Sequence, residues 1–321
     1  MKTKFSIGVR HVHFKKLLQT IIRQYIPFFV LIGSVMLMSK NSYADEPALS
    51  ATALNATYAK LDRQLSNNQF QRPLFLNSTE SSHDLKGEIY AVVDYPFSTV
   101  SSALNSPENW CDVLILHVNI KYCHASIMNA DTKNPTSMLS VDLGKKFDQP
   151  LADAYRVDFN YLQVKTAPDY FAIELFAENG PLGTNDYRIW VEATPLKDGR
   201  TFLHFTYTYS FGLSGRLAMQ AYLATAGRNK VGFTATGKLD NGQPDYIKGV
   251  RGVVERNTMR YYIAIDAYLA ALKKPASEQF EKRLQNWYEG TNQYPQQLHE
   301  VERDDYLIMK RKEYKRQQVA Q

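Results

Sequence analysis

The chain has 321 residues, 44% of them hydrophobic and 12% aromatic, enough to bury one core of ordinary domain size with extensions. Its formal charge is +6, but residues 1–44 carry seven basic side chains (Lys2, Lys4, Arg10, Lys15, Lys16, Arg23 and Lys40) and no acidic one, leaving 31 Lys and Arg against 32 Asp and Glu in the rest. A nucleic-acid binder concentrates positive charge in its folded part, so no nucleic-acid partner is expected.

The first segment reads as an export signal. A basic stretch precedes the apolar run Ile26–Met38, and Ser42 and Ala44 stand at the −3 and −1 positions of a cleavage site. The run has 13 residues, short of the ~20 that a spanning helix needs. Residues 1–44 are therefore expected to be a signal peptide cleaved after Ala44, and the mature protein to be periplasmic; an uncleaved N-terminal anchor is the alternative.

Residues 45–85 read as an N-terminal helix, with Leu54, Tyr58, Leu61 and Leu65 at helical spacing, followed by a polar linker from Asn77 to Asp84. A first strand follows in GEIYAVVDYP, with Ile89, Ala91 and Val93 on one face and Tyr90 and Val92 on the other. Two short helices come next: one carries Phe97, Val100 and Leu104, the other opens with Pro107 after a candidate N-cap, Ser106. The only cysteines, Cys111 and Cys123, form a disulfide most simply in an oxidising compartment, tying the end of a helix to the start of a strand. A metal site of Cys111, His117, Cys123 and His124 is the alternative, and its spacing matches no standard zinc pattern.

Strands are expected near 118–127, 136–143, 156–166, 170–177, 187–194 and 201–211, joined by short turns such as Ala167-Pro168-Asp169 and Asp198-Gly199. Such connections imply an antiparallel meander. The last strand alternates Leu203, Phe205, Tyr207, Tyr209 and Phe211 with His204, Thr206, Thr208 and Ser210. An apolar helix from Leu213 to Thr225 and a glycine-rich stretch follow. The longest helical pattern runs from Gln243 to Lys274, with Pro244 in its first turn, Pro275 after its end, and an apolar stripe including Val250, Val254, Tyr261, Ile265 and Tyr268. Arg251, Glu255, Arg256 and Asp266 fall mostly on the other faces. Gly249 and Gly252 mark a bend or a close backbone approach. Residues 274–321 read as a charged helical extension ending in Lys310, Arg311, Lys312, Lys315 and Arg316, a solvated tail or a contact for anionic lipid headgroups.

This order, one strand, two short helices, antiparallel strands and a long helix over residues 86–273, resembles the START and Bet v 1-like helix-grip superfamily. The resemblance lies in plan, without a specific motif. It implies an α+β fold in which a curved antiparallel sheet of about seven strands wraps a long C-terminal helix; a closed antiparallel sheet is the alternative. It also implies a cavity for an apolar ligand, lipid or sterol-like. Phe171, Ile173, Ile189, Val191, Phe205, Tyr207, Tyr209, Tyr261 and Ile265 are the candidate lining residues, or else an ordinary core. A gate is expected from the 213–225 helix and the Gly249 turn. No nucleophile elbow or dinucleotide fingerprint occurs, so no catalytic residue, metal or cofactor is assigned. Glu174, Arg188 and Glu192 share strand parity and read as a headgroup anchor or a surface ion-pair lattice. A cyclase or hydrolase using the same cavity, and a cell-envelope interaction module, are the competing functions.

Overall fold

Gly199 adopts a left-handed backbone (φ +84°), which is what an Asp-Gly hairpin turn requires. It joins β7 (Thr184–Pro195) to β8 (Thr201–Phe211) in a continuous antiparallel ladder. The computed structural model describes residues 49–128, 136–225 and 227–319; the expected signal segment and its cleavage site lie outside them. Eight strands form one sheet: β1 (Leu74–Glu80), β2 (Asp84–Val93), β3 (Ile120–Met128), β4 (Thr136–Leu143), β5 (Tyr155–Ala167), β6 (Tyr170–Asn179), β7 and β8, in the order β1-β2-β8-β7-β6-β5-β4-β3. Every neighbouring pair is antiparallel.

This is a helix-grip arrangement. The inner face of β8 presents Leu203, Phe205, Tyr207, Tyr209 and Phe211 to one core, as the alternation predicts, while Phe202 joins a smaller cluster on the opposite face. The long helix packs on β2, β1 and β8. Gly87 permits this: a Cβ there would come within 2.2 Å of the Thr258 hydroxyl.

On the outer face, α1 (Ala51–Lys60), capped by the Ser50 hydroxyl on the Ala53 amide (3.2 Å), packs against β7. It is followed by α2 (Asp62–Ser66). Together they cover Val92, Tyr170, Ala172 and Phe202 with Leu54 and Leu65.

The helices α3 (Phe97–Leu104) and α4 (Pro107–Leu114) follow β2 as expected. The Ser106 hydroxyl bonds Glu108 instead of capping a backbone amide. Cys111 in α4 and Cys123 in β3 are disulfide-bonded, with Cα atoms 5.2 Å apart. That bond removes both thiols from the alternative metal set.

Three stretches depart from the sequence reading. The polar residues 77–84 are not a linker: they close the β1–β2 hairpin, so β1 adds an eighth strand. Asn77 and Ser78 sit in that strand because the Asn77 amide bonds Glu88 and the Ser78 hydroxyl bonds Glu255. Second, the long helix is shorter than expected. After α5 (Leu213–Ala224), residues 235–246 form the hairpin β9 (Ala235–Lys238) and β10 (Pro244–Tyr246), and α6 runs only from Gly249 to Ala271. Pro244 pairs with Lys238 in that hairpin, which turns through Gly242 (φ +80°). Gly252 allows a close approach, since a Cβ there would lie 3.2 Å from the Gly232 amide nitrogen.

Third, the charged C-terminal stretch folds back on the core. It forms α7 (Ala276–Asn292), α8 (Pro295–Leu298) and α9 (Arg303–Val319). Helix α7 packs on α6, and α9 packs on β3 and α7. Lys310, read as part of an exposed basic cluster, is fully buried. With the equally buried Lys121 it shares one carboxylate, Glu313, at 2.8 and 2.9 Å. Arg311 pairs with Glu281 and Lys312 with Asp148. Among the described residues no helix is long and apolar enough to cross a membrane.

Candidate ligand-binding site

Successive inward positions of two paired strands place Tyr187 on β7 beside Tyr207 and Tyr209 on β8. Tyr187 stacks on Tyr209 with ring centroids 5.2 Å apart, and Tyr207 lies 5.7 Å from Tyr209. These rings form one wall of a cavity of about 360 Å³. Helix α5 supplies Ala218, Met219 and Tyr222, and α6 supplies Val253, Arg256, Asn257 and Arg260 at helical spacing. Leu182, Asn119 and Lys146 complete the rim. Burial pushes the Tyr187 phenol up to about 12 and the Tyr207 phenol well above its ordinary range. Both stay neutral, giving the wall apolar faces with a few uncharged polar tips.

A second cavity of about 280 Å³ lies on the other side of α5, lined in part by Leu85, Phe211 and Val250. Thr184, Tyr209, Gly215 and Met219 border both spaces. Gly215 is the only buried residue of α5, where a Cβ would meet Phe211 and the Gly183 carbonyl at 3.0 and 3.1 Å. Leu213 and Leu217 point to solvent, 75% and 57% exposed. The helix is therefore held at its start and lies lightly over the cavities. A larger cleft of about 800 Å³ elsewhere is rimmed by Gln69, Gln71, Gln293, Gln296 and Gln297 around the packed rings of Phe70, Phe233 and Tyr294.

Of the nine residues chosen from the sequence, the structure brings Tyr207 and Tyr209 to the cavity wall. Phe171, Ile173, Ile189, Val191, Phe205, Tyr261 and Ile265 share the same inner side but are close-packed in the core. Tyr261 illustrates why: Tyr207 at 5.3 Å, Phe205 at 6.3 Å and His117 at 4.7 Å surround its ring. Sequence parity shows which side a residue faces, and not whether a neighbour already fills the space.

From α6 the sequence points to Tyr261 and Ile265, whereas the structure brings Val253, Arg256, Asn257 and Arg260 to the cavity; these stand at i, i+3, i+4 and i+7, one helical stripe, of which the sequence pattern places Arg256 off the apolar face. Both arginines are buried, Arg256 at 2% and Arg260 at 3% exposure. Arg260 bonds Glu300 at 2.6 Å, and Lys146 and Lys230 approach the same carboxylate at 2.6 and 3.4 Å. Arg256 reaches only the Val231 carbonyl at 3.2 Å and the Tyr222 hydroxyl at 3.5 Å.

The outer face carries a separate polar lattice. His204 lies between Glu192 (2.8 Å) and Glu88 (3.3 Å) and stacks on Tyr90 at 4.1 Å. Burial lowers its basicity, but the two carboxylates outweigh that and raise its pKa. Glu174 and Arg188 form an ion pair at 2.5 Å on this face. That placement sets them apart from the cavity as a surface lattice. Among the described residues no group of three or more His, Cys, Asp or Glu is placed to hold a metal ion.

No protein-family model matches the chain, and no curated protein matches it. Among solved structures it is similar to a protein from Arthrobacter aurescens determined by solution NMR, at 16% identity, covering 62% of this chain and 92% of the other with a TM-score of 0.31. It is also similar to human StAR-related lipid transfer protein 5, at 10% identity, covering 54% and 88% with a TM-score of 0.28. Likeness this distant carries no argument about function, which has to rest on the cavity.

Proposed function

We propose that this protein binds a small, largely apolar molecule in the cavity between β7, β8, α5 and α6, with α5 as the movable cover. The carrying observation is the tyrosine wall faced by Met219 and Val253, a concave surface that is apolar on this side and polar where Asn119, Lys146, Arg256, Asn257 and Arg260 meet it, at the small end of the range typical of ligand pockets. The weak anchoring of α5 supports the cover: one buried glycine at its start, and two cavities that share Met219 and Tyr209 on either side of it. Movement of such a helix needs little core disruption. A role in an exported compartment draws support from the bonded cysteine pair.

Binding is favoured over a cyclase or hydrolase activity by the lining itself. Among the described residues it contains no carboxylate and no imidazole, the groups that most often move protons in catalysis. Native mass spectrometry of the purified protein tests the reading. A copurified small molecule is expected, and Met219→Trp, which fills the shared space from a peripheral helix, should displace it without unfolding. Wild-type protein that carries no ligand, and whose melting temperature is unmoved by long-chain alcohols, would refute it.

A further inference from the structure

One end of the cavity is cationic in a way that an apolar ligand alone does not use. Arg256 and Arg260 project from consecutive turns of α6, and Lys146 stands across from them. Like charges at i and i+4 repel, and burying a guanidinium without a counter-charge is costly. For Lys146, Lys230 and Arg260 the structure offers one shared carboxylate, Glu300. Among the described residues no carboxylate lies within ion-pair distance of Arg256. Its five donors meet two neutral acceptors, one at 3.2 Å and one at 3.5 Å, and the Nε of Arg260 meets none. Guanidinium donors in this state match the paired oxygens of a carboxylate or phosphate.

Resting on the binding function proposed above, we infer that the ligand is an anionic single-chain amphiphile, its carboxylate or phosphate head against Arg256 and Arg260 and its chain along the tyrosine wall. The position of the charge supports the orientation. Arg256 and Arg260 lie on α6, while Tyr187 and Tyr209 line the opposite strands and Met219 the cover. The size supports a single chain: about 360 Å³ is small among ligand cavities. A partner on Arg256 would also offset the repulsion between the two arginines, so head and helix stabilise each other.

The test is a head-group series of fixed chain length, titrated calorimetrically into the full-length protein below micelle-forming concentrations: tetradecanoate, tetradecyl phosphate, tetradecanol and tetradecyltrimethylammonium, with inorganic phosphate as a chain-free control. The anions are expected to bind on the order of tenfold to a hundredfold more tightly than the alcohol, and the ammonium compound more weakly than the alcohol. Arg256→Gln should remove the anion preference, bringing the anions down towards the affinity of tetradecanol for the same variant, and Arg256→Lys should retain part of it. The wild-type series stands alone if Arg256→Gln does not fold. If tetradecanol binds as tightly as the anions, or if the preference survives Arg256→Gln, the anionic head is wrong and the apolar cavity stands. Inorganic phosphate binding as tightly as tetradecyl phosphate would overturn the amphiphile in favour of a free-anion site. Absence of binding by every chain-bearing probe overturns the cavity function and this inference with it.

Discussion

Glu255 offers a sharp test of how the long helix is held. Its carboxylate is fully buried and accepts four hydrogen bonds: the Ser78 and Thr234 hydroxyls at 2.6 Å each, the Phe233 amide at 2.5 Å and the Thr234 amide at 2.9 Å. It thereby ties α6 to β1 and to residues 233–234. Glu255→Gln keeps the shape and removes the charge. A hydrogen bond to a charged group contributes about 1.5–3 kcal/mol and a neutral one about 0.5–1.5, a difference near 1 kcal/mol per bond. Four bonds set an upper bound of about 4 kcal/mol; the two hydroxyls can rotate to accept from the new amide, whereas the backbone amides cannot turn. The expected loss is about 3 kcal/mol, roughly 6–12 °C in melting temperature for a chain of this size. Urea denaturation followed by circular dichroism measures the total, and hydrogen exchange at Phe233 and Thr234 reads the site. A loss below about 1 kcal/mol, with protection of those two amides unchanged, would show that the network does not hold the helix.

The outer-face lattice predicts a pH dependence. The raised His204 pKa contributes stability that is complete below the unfolded value of 6.5 and is lost as pH rises through the folded value. Glu88, where burial is outweighed by His204, Lys86 and Asn77, falls from 4.5 to about 2, so its contribution is lost as pH drops towards 2. Stability from this lattice should peak between about pH 4.5 and 6.5, and His204→Gln should flatten the alkaline side of the denaturation profile; an unchanged slope refutes the assignment. Glu313 neutralises two buried lysines, so Glu313→Gln should cost about 3–5 kcal/mol in chemical denaturation. Burial holds Lys310 at about 8 against 10.5 unfolded, so wild-type stability should rise as the pH goes from about 8 to 10.5, where the unfolded chain keeps a proton that the folded protein has shed; a flat profile over that interval argues against it. Replacing Cys111 and Cys123 by Ser opens a loop of 12-residue separation and should cost about 3 kcal/mol by loop-closure entropy, checked as the gap between oxidised wild type and the double variant.

The meander, its turns and the inner face of β8 were legible because period-two alternation and Asp-Gly chemistry are local signals. The extent and polarity of α6 were not. Of its 23 residues 16 are buried, so partners enclose it on several sides and the apolar stripe that periodicity detects covers only part of its buried surface. Glu255 and Arg256 look like solvent-facing charges until residues 231–234 close over them, and those contacts join distant parts of the chain. The strand β1 was hidden for the same reason: Asn77 and Ser78 read as turn residues, and pairing with β2 together with the bond to Glu255 determines their conformation. Lys310 and Glu313 are ordinary helix-surface residues by spacing; only the meeting of α9 with β3 makes them interior.

That meeting has a consequence for the life of the chain in a crowded compartment. β3 is the last strand of the sheet, and an open edge of this kind is a template for another chain. Here α9 occupies it: the Gln317 side chain accepts from the Cys123 amide, and Lys310 donates to the carbonyls of His117 and Ile120. The segment that reads as a soluble charged tail is thus the guard of the sheet's margin. Because α9 is synthesised long after β3, newly made molecules pass through a stage in which β3 is bare. Loss of residues 303–319 by proteolysis would bare the β3 edge and favour self-association through it.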